Sequence, residues 1–209
     1  MPGLEVGAAL ATPAFWLIAL CNFSFWFVTA GAVIHMVPCL IGLGYTPTQA
    51  ALVLTIIYAM GTTGKLAISP LADRLGARRT LSADFLSLGT GLALFLGARH
   101  VAMLAASLLF MGLTCGAPMA LLAMLQAESL GLRRYGSLNG LLSIAFTLGM
   151  AGGPLVAGRI FDVTHSYTAA FVLFGAIAIV ASFAASACAP LGVAQAGETI
   201  APVLAESRL

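Results

Sequence analysis

The sequence predicts an all-α polytopic membrane protein with six transmembrane helices, and three observations support this fold class. First, most of the 209-residue chain divides into six long apolar stretches, separated by short charged or turn-forming clusters. Second, 61% of the residues are hydrophobic and only 8% are charged, whereas about 25% of a soluble domain is charged. Third, the stretches lack the two-residue alternation of membrane β-strands, so their backbone groups must pair within helices.

Each stretch is long enough to cross the hydrocarbon core of a bilayer, which takes about 20 residues of helix. The predicted spans run from about Pro13 to Val37, Thr48 to Leu71, Thr80 to Gly97, Val101 to Gln126, Gly136 to Phe161 and Tyr167 to Ala189.

Two flanking segments complete the predicted organisation around a transmembrane domain at residues 13–189. Residues 1–12 contain Glu5 but no Lys or Arg, which argues against a secretory signal. We expect this part to be a cytoplasmic N-terminal segment. Residues 190–209 mix Gly, Ala, Pro and Glu without helical periodicity, and we expect a disordered cytoplasmic tail.

The positions of the basic residues predict the orientation. The two links on the same side as both termini carry most of them: Arg74, Arg78, Arg79, Arg133 and Arg134. The opposite loops carry Arg99, and Arg159 lies at a helix end. Because cytoplasmic loops are enriched in Lys and Arg, both termini and both basic links are expected to face the cytoplasm. The net charge of +2 is too small to suggest a nucleic-acid partner.

The link between the second and third spans has a specific spacing, Asp73-Arg74-x-Gly76-x-Arg78-Arg79. On charge alone it is a basic turn at the cytoplasmic surface, where a glycine permits the tight reversal. The aspartate at the end of the preceding helix can pair with an arginine or with the positive N-terminal end of a neighbouring helix.

The fifth span contains two glycine pairs, Gly136/Gly140 and Gly149/Gly153, followed by Pro154. Pairs of small residues four apart let a partner helix approach closely. The same residues also fit a helix that is simply well packed.

Taken together, these segments resemble the major facilitator superfamily. The Asp73–Arg79 link resembles the family's loop signature, although Ser69 stands where that signature usually has a glycine. The fifth span, with the exit loop at Ser166-Tyr167, resembles the eleventh helix of a twelve-helix facilitator. The start of the first span, with His35 and Pro38 near its far end, is similar to the seventh helix.

The resemblance covers about Leu10 to Ala189 and is strongest to the branch of monocarboxylate and oxalate–formate carriers, which implies a bacterial inner membrane protein. It implies half of the family's fold, built from two inverted three-helix repeats. The chain matches the C-terminal half and begins where the central cytoplasmic loop of a full carrier would end. The implied partner is a second six-helix half, as a homodimer mate or a separate chain.

In this family the loop signature helps to hold one conformational state closed on the cytoplasmic side. The resemblance therefore implies a gating role for the loop, above all for Asp73 and Arg74. The full set of candidate gating residues is Asp73, Arg74, Gly76, Arg78 and Arg79.

Lys65 is the candidate for substrate binding within a span. It lies eight residues before Asp73, which is about 12 Å along a helix. A charge at this depth is costly and suggests function. In the carboxylate-carrying branch the matching residue is basic and binds the substrate carboxylate. The alternative is that Lys65 snorkels to the cytoplasmic surface.

Other polar residues within the spans are weaker candidates. His35 can titrate near neutral pH or serve as a hydrogen-bonded packing residue. Asn139, Ser143 and Thr147 form one stripe along the fifth helix, which either lines a cavity or hydrogen-bonds to another helix. Asp84, about one turn into the third span, is expected to interact with the helix dipole or to form a gating ion pair. Oxalate-type carriers have a basic residue in the core of the fifth helix, and its absence here argues against a dicarboxylate.

These observations predict a secondary transporter, or half of one, that moves a small organic anion such as a monocarboxylate in symport with protons. The expected partners are that anion, protons, the lipid bilayer and the second half. The sequence shows no hydrolytic constellation, nucleotide motif or metal-ligand spacing, so we expect neither an enzyme nor a cofactor. The alternative is a non-transporting carrier fragment or a membrane-embedded partner subunit.

Overall fold

The computed structural model describes residues 3–189, and the segment at 190–209 that was expected to be disordered lies outside them. Within the described residues the regular structure is helical. The helices are α1 Val6–Leu10, α2 Pro13–Gly42, α3 Pro47–Leu75, α4 Ala77–Phe95, α5 Val101–Cys115, α6 Pro118–Leu130, α7 Tyr135–Thr164 and α8 Thr168–Ala187.

Five of the six predicted spans form single helices, but the fourth does not. The stretch predicted as one span from Val101 to Gln126 is divided into α5 and α6, whose axes differ by 43°. Gly116 caps the end of α5, and Pro118 occupies the first turn of α6. Proline has no backbone N–H, and its ring clashes with the preceding turn of a helix. The two helices therefore do not continue into each other at this point.

The predicted link between the second and third spans is also much shorter than expected. Gly76 is the single residue between α3 and α4, with φ of 82° and ψ of 151°. This backbone conformation is one that residues with a side chain rarely adopt. Arg78 and Arg79 therefore lie in the first turn of α4 rather than in a loop.

Within residues 3–189, four helices are individually long and apolar enough to cross a membrane, namely α2, α3, α7 and α8. The bent pair α5–α6 makes a fifth. Helix α4 has 19 residues but includes Arg78, Arg79 and Asp84. These findings confirm an all-α polytopic membrane fold, but α4, which was predicted as the third span, is not among the described helices that are apolar enough to cross a membrane.

The packing of the helices follows the predicted inverted repeat. If α2, α3 and α4 correspond to α5–α6, α7 and α8, each extensive helix contact has a counterpart. The contact of α2 with α7 corresponds to that of α3 with α5, and the contact of α4 with α5 corresponds to that of α2 with α8. Because α4 and α8 are counterparts of each other, the contact between them is its own counterpart and joins the two repeats.

Glycines allow the backbones to approach in the two corresponding contacts. A Cβ at Gly153 of α7 would collide with the carbonyl oxygen of Phe27 on α2. In the counterpart contact, a Cβ at Gly116 would collide with the carbonyl oxygen of Gly61 on α3. Both contacts therefore depend on the absence of a side chain.

The links at one end of the bundle are held together by the N-terminal segment. Glu5 forms ion pairs with Arg133 at 3.0 Å and with Arg134 at 3.1 Å. The Leu4 amide donates to the Leu130 carbonyl oxygen at 3.0 Å. At this end Arg78 also donates to the carbonyl oxygen of Cys188, after α8, at 3.4 Å. The two basic links thus share one end of the bundle with the N-terminal segment, as predicted, and the cytoplasmic orientation of that end stays a prediction.

Candidate functional site

A cavity of about 260 Å³ lies between α2, α6 and α7. We call it the α2–α6–α7 cavity. Ten residues line it: Asn22, Trp26, Met119, Leu122, Ala123, Gln126, Asn139, Leu142, Ser143 and Phe146.

The break between α5 and α6 creates this cavity. Helix α5 packs against α3 and α4, whereas α6 packs against α4 and α2 and makes only slight contact with α7. The 43° bend therefore directs α6 across the bundle toward α2. A gap is left between α6 and α7, and the side chains of both helices face it.

The lining combines neutral polar groups with an aromatic wall. The amides of Asn22, Gln126 and Asn139 contribute from three helices, and the Gln126 amide is oriented by its hydrogen bond to the Tyr135 carbonyl oxygen at 3.2 Å. The rings of Trp26 and Phe146 meet edge to face, with their centroids 4.6 Å apart. No lining residue of this cavity, among the residues described, is charged. The lining suits a small, partly apolar molecule that needs orienting hydrogen bonds.

Two residues of the predicted α7 stripe line the cavity and the third does not. Asn139 and Ser143 are lining residues, whereas Thr147 lies one turn beyond. The hydroxyl of Ser143 donates to the Asn139 carbonyl oxygen and that of Thr147 to the Ser143 carbonyl oxygen, both at 2.9 Å. These hydroxyls bond within their own helix, which favours the cavity-lining interpretation of the stripe over interhelical bonding.

Lys65 is not one of the cavity-lining residues. It lies on the exposed side of α3, beside the break in the neighbouring helix. A Cβ built on Gly116 would come within 3.3 Å of the Lys65 Cβ. The base of the lysine side chain therefore lies next to the break between α5 and α6. Its role in substrate binding stays a prediction.

His35 packs between α2 and α7, away from the cavity. Its Nε2 donates to the carbonyl oxygen of Pro154 at 3.0 Å. Its ring centroid lies 5.2 Å from that of Tyr167. These contacts are those expected of a hydrogen-bonded packing residue, which was one of the two interpretations of His35. Its contact with substrate stays a prediction.

The predicted gating residues surround the one-residue turn at Gly76. Asp73 and Arg74 are exposed at the end of α3. The carboxylate at the N-terminus of α4 belongs instead to Glu128 of α6, whose Oε1 accepts from the Ala77 amide at 3.4 Å. Such a contact is favourable because the N-terminal end of a helix carries a partial positive charge.

Sequence reasoning missed Asn22, Trp26, Gln126 and Glu128. Asn22 and Gln126 could have been found from the sequence, because an amide side chain within an apolar span needs polar surroundings. Glu128 had another, because an acidic residue in the last turn of a helix opposes the helix dipole unless it has a partner elsewhere.

Asp84 lies deeper than predicted. It is two turns into α4 and only 4% exposed. Neither carboxylate oxygen has a hydrogen-bond partner within the described part of the chain, and neither predicted role, dipole partner or gating ion pair, accounts for this environment.

Comparison with known proteins gives one match to a family. The family model described as Major Facilitator Superfamily matches residues 10–201. A search of curated proteins found no match.

Proposed function

The chain belongs to the major facilitator superfamily, and from this premise we propose that it forms half of a secondary transporter for a small organic anion, such as a monocarboxylate. The family places it among integral membrane proteins that transport small molecules. In our proposal the anion moves in symport with protons by alternating access, in a bacterial inner membrane. The chain has no catalytic role in this process.

The observation that carries the proposal is the α2–α6–α7 cavity. Its volume of about 260 Å³ is at the small end for ligand sites, which favours a compact substrate. Amide groups from three helices are available to orient a carboxylate, and the Trp26–Phe146 wall favours an apolar remainder. A monocarboxylate combines these two features in one molecule.

The charge of the anion must be compensated by a residue outside this lining. Lys65 is the cation that we assign to this task, because it lies on α3 beside the α5–α6 break that shapes the cavity. A lysine contributes a point charge rather than the planar fork of an arginine. It suits a substrate with a single carboxylate better than one that needs two bidentate contacts.

A second six-helix half is part of the proposal. In the most apolar window of α3 and of α7, 22% of the residues are buried, against 44% in α2 and α8. Helices α3 and α7 therefore retain the most surface for a partner, and α7 also lines the cavity. Alternating access requires two such bodies to rock against each other around a site between them.

Reconstitution in liposomes tests the proposal. The purified chain, alone or with a co-purifying partner, should take up radiolabelled monocarboxylates when a pH gradient is imposed, and cross-linking should show a two-half assembly. Lys65→Gln should abolish uptake, while Lys65→Arg should retain part of it because the charge survives. A strictly monomeric protein that transports would contradict the need for a second half, and full uptake by Lys65→Gln would contradict the anionic substrate.

The alternative is a non-transporting carrier fragment or a partner subunit, and it is favoured by a cavity that one half bounds only on one side. The coding region upstream of Met1 distinguishes the two. An interrupted six-span reading frame would indicate a broken carrier, whereas an intact neighbouring gene for six further spans would indicate a transporter of two chains.

A further inference from the structure

The proposed site makes no use of the most deeply buried ionisable group of α4. Asp84 is 4% exposed, and both of its carboxylate oxygens lack a hydrogen-bond partner among the described residues. An ionised carboxylate without a partner is very costly in an apolar interior, whereas a neutral carboxylic acid costs far less. The burial of Asp84 therefore favours a carboxyl group that carries its proton.

Asp84 lies on the face of α4 that packs against α5. One turn further along this face, the Ser87 hydroxyl donates to the Phe110 carbonyl oxygen at 3.4 Å. Because α5 runs antiparallel to α4, the residues opposite Asp84 come from the end of α5. The carboxyl group thus faces the break between α5 and α6.

A second, much smaller cavity begins at the same point. It has a volume of about 10 Å³ and is lined by Thr29, Thr114 and Cys115 together with apolar side chains. A space of this size holds about one water molecule. The buried Thr29 hydroxyl has no hydrogen-bond partner within the described residues, as expected for a group that binds such a water. Thr29 belongs to α2, the helix that also contributes Asn22 and Trp26 to the larger cavity.

The helices that pack against α4 contribute few ionisable groups near Asp84, and Cys115 at the end of α5 is one of them. Helix α3 contributes Tyr58 and also Lys65, which adjoins Gly116 across the break. Helix α3 also ends in Asp73 and Arg74, and α6 carries Glu128 at the Ala77 end of α4. Helix α8 contains no ionisable residue between Thr168 and Ala187.

We propose that Asp84 is the group that binds the coupled proton, and that it exchanges this proton through water admitted at the α5–α6 break. In the conformation described here Asp84 is a neutral acid. When the break moves and water enters, the O–H bond of Asp84 breaks, the proton passes to water and a carboxylate remains. The inference rests on the proposed function, which requires a proton-binding group that the α2–α6–α7 cavity lacks.

A proton fits this position better than a metal cation. Hard cations take several oxygen ligands, whereas no group of three or more His, Cys, Asp or Glu side chains that could hold a metal ion occurs among the described residues. A cation-coupled transporter would also be expected to respond to a sodium gradient, which the test below includes.

The first experiment measures protonation and does not require transport. Infrared spectra of the full chain in lipid at neutral pH should contain the C=O stretching band of a carboxylic acid without a hydrogen bond. Asp84→Asn should remove this band, while the matched control Asp162→Asn, at an exposed position of α7, should retain it. A wild-type spectrum without an Asp84-dependent band would overturn the proposal even if the protein transports.

The second experiment measures coupling. For one proton per monoanion, a gradient of one pH unit drives about tenfold accumulation. Asp84→Asn should reduce this to no accumulation while retaining counterflow of substrate across liposomes, and Asp84→Glu should restore part of it. Retained counterflow also shows that the variant is folded. Undiminished pH-driven accumulation in Asp84→Asn, or accumulation driven by sodium alone, would overturn the assignment. If the wild type moves no substrate at all, the proposed function fails, and the infrared band still decides whether Asp84 holds a proton.

Discussion

The two glycine pairs of α7 have the same spacing but opposite environments. Gly149 and Gly153 are buried against α2, where added Cβ atoms would collide with the carbonyl oxygens of Phe23 and Phe27. Gly136 and Gly140 have no atom of another helix within 4 Å of such a Cβ. The spacing therefore marks a surface that allows close approach, but only the tertiary structure shows whether this chain supplies the approaching helix. The open pair lies on the same helix end as Asn139 and Ser143 of the cavity.

The largest loss of stability is expected from Gly153→Ala, which disturbs the buried glycine pair that packs against α2. The new methyl group would overlap the backbone of Phe27. A backbone cannot avoid the overlap by a change of rotamer, as a side chain can. Overpacking of this kind costs about 1–3 kcal/mol, so the unfolding temperature in detergent should fall clearly. Gly140→Ala is the matched control and should leave it unchanged or slightly raised, because alanine is the better helix former. Equal losses in both variants would refute the distinction between the two pairs.

A bulky residue at the open pair should affect assembly rather than folding. Gly140→Leu is expected to keep the monomer's unfolding temperature, since the structure offers nothing for the side chain to strike. It should weaken cross-linking to the second half and reduce uptake several-fold, because the partner surface can no longer approach closely. Cross-linking yield and thermal unfolding of the same preparation separate the two effects, and wild-type assembly would indicate that the partner binds elsewhere.

At the Gly76 turn the comparison is between Glu128, which accepts a hydrogen bond from the Ala77 amide, and Asp73, for which the described part of the chain shows no hydrogen-bond partner. Glu128→Gln removes a charge from the N-terminus of α4 and should cost about 0.3–1 kcal/mol of unfolding free energy. Asp73→Asn should leave stability almost unchanged, because Asp73 is exposed, and should instead alter the rate of substrate exchange. Thermal unfolding and exchange kinetics of both variants test this division. A large stability loss in Asp73→Asn alone would reverse the two roles.

The smallest effect is expected at Glu5. Its pairs with Arg133 and Arg134 have side chains that are 44–55% exposed, and exposed ion pairs contribute about 0–1 kcal/mol. Glu5→Gln should therefore lower the unfolding temperature only slightly, and the difference from wild type should vanish at high salt. A loss that persists unchanged at high salt would contradict the ionic origin of this contribution.

Sequence alone predicted the positions of the helices well, because each is a long apolar stretch ended by charges, glycine or proline. It missed the α5–α6 break, although Gly116 and Pro118 were visible, since the apolar composition continues across them. The spacing of Asn139, Ser143 and Thr147 on one face left open whether they line a cavity or hydrogen-bond to another helix, and the first two line the cavity. The remaining cavity residues come from α2 and α6, and only the 43° bend brings them opposite α7.

Depth within the bundle was the least predictable property. The interior and exposed faces of α4 cannot be distinguished from the pattern of residues, because apolar residues occur on both faces of a membrane helix. The prediction for Asp84 was therefore an interfacial residue, whereas the side chain is only 4% exposed. For Lys65 the depth along α3 was predictable from its spacing to Asp73, but its position beside Gly116 required the packing of α3 on α5.

The contact between Glu5 and Arg134 joins residues that are 129 positions apart in the chain. A polypeptide is synthesised from its N-terminus. The N-terminal segment can therefore form its ion pairs with Arg133 and Arg134 only after α2 to α6 have been made. At the same end of the bundle, the contacts of Cys188 with Arg78 and Ser129 can form only later, after α7 and α8 have been made. A pair of fluorophores across the Glu5–Arg134 contact would report, on nascent chains of increasing length, whether this junction forms before α7 and α8 have been added to the bundle.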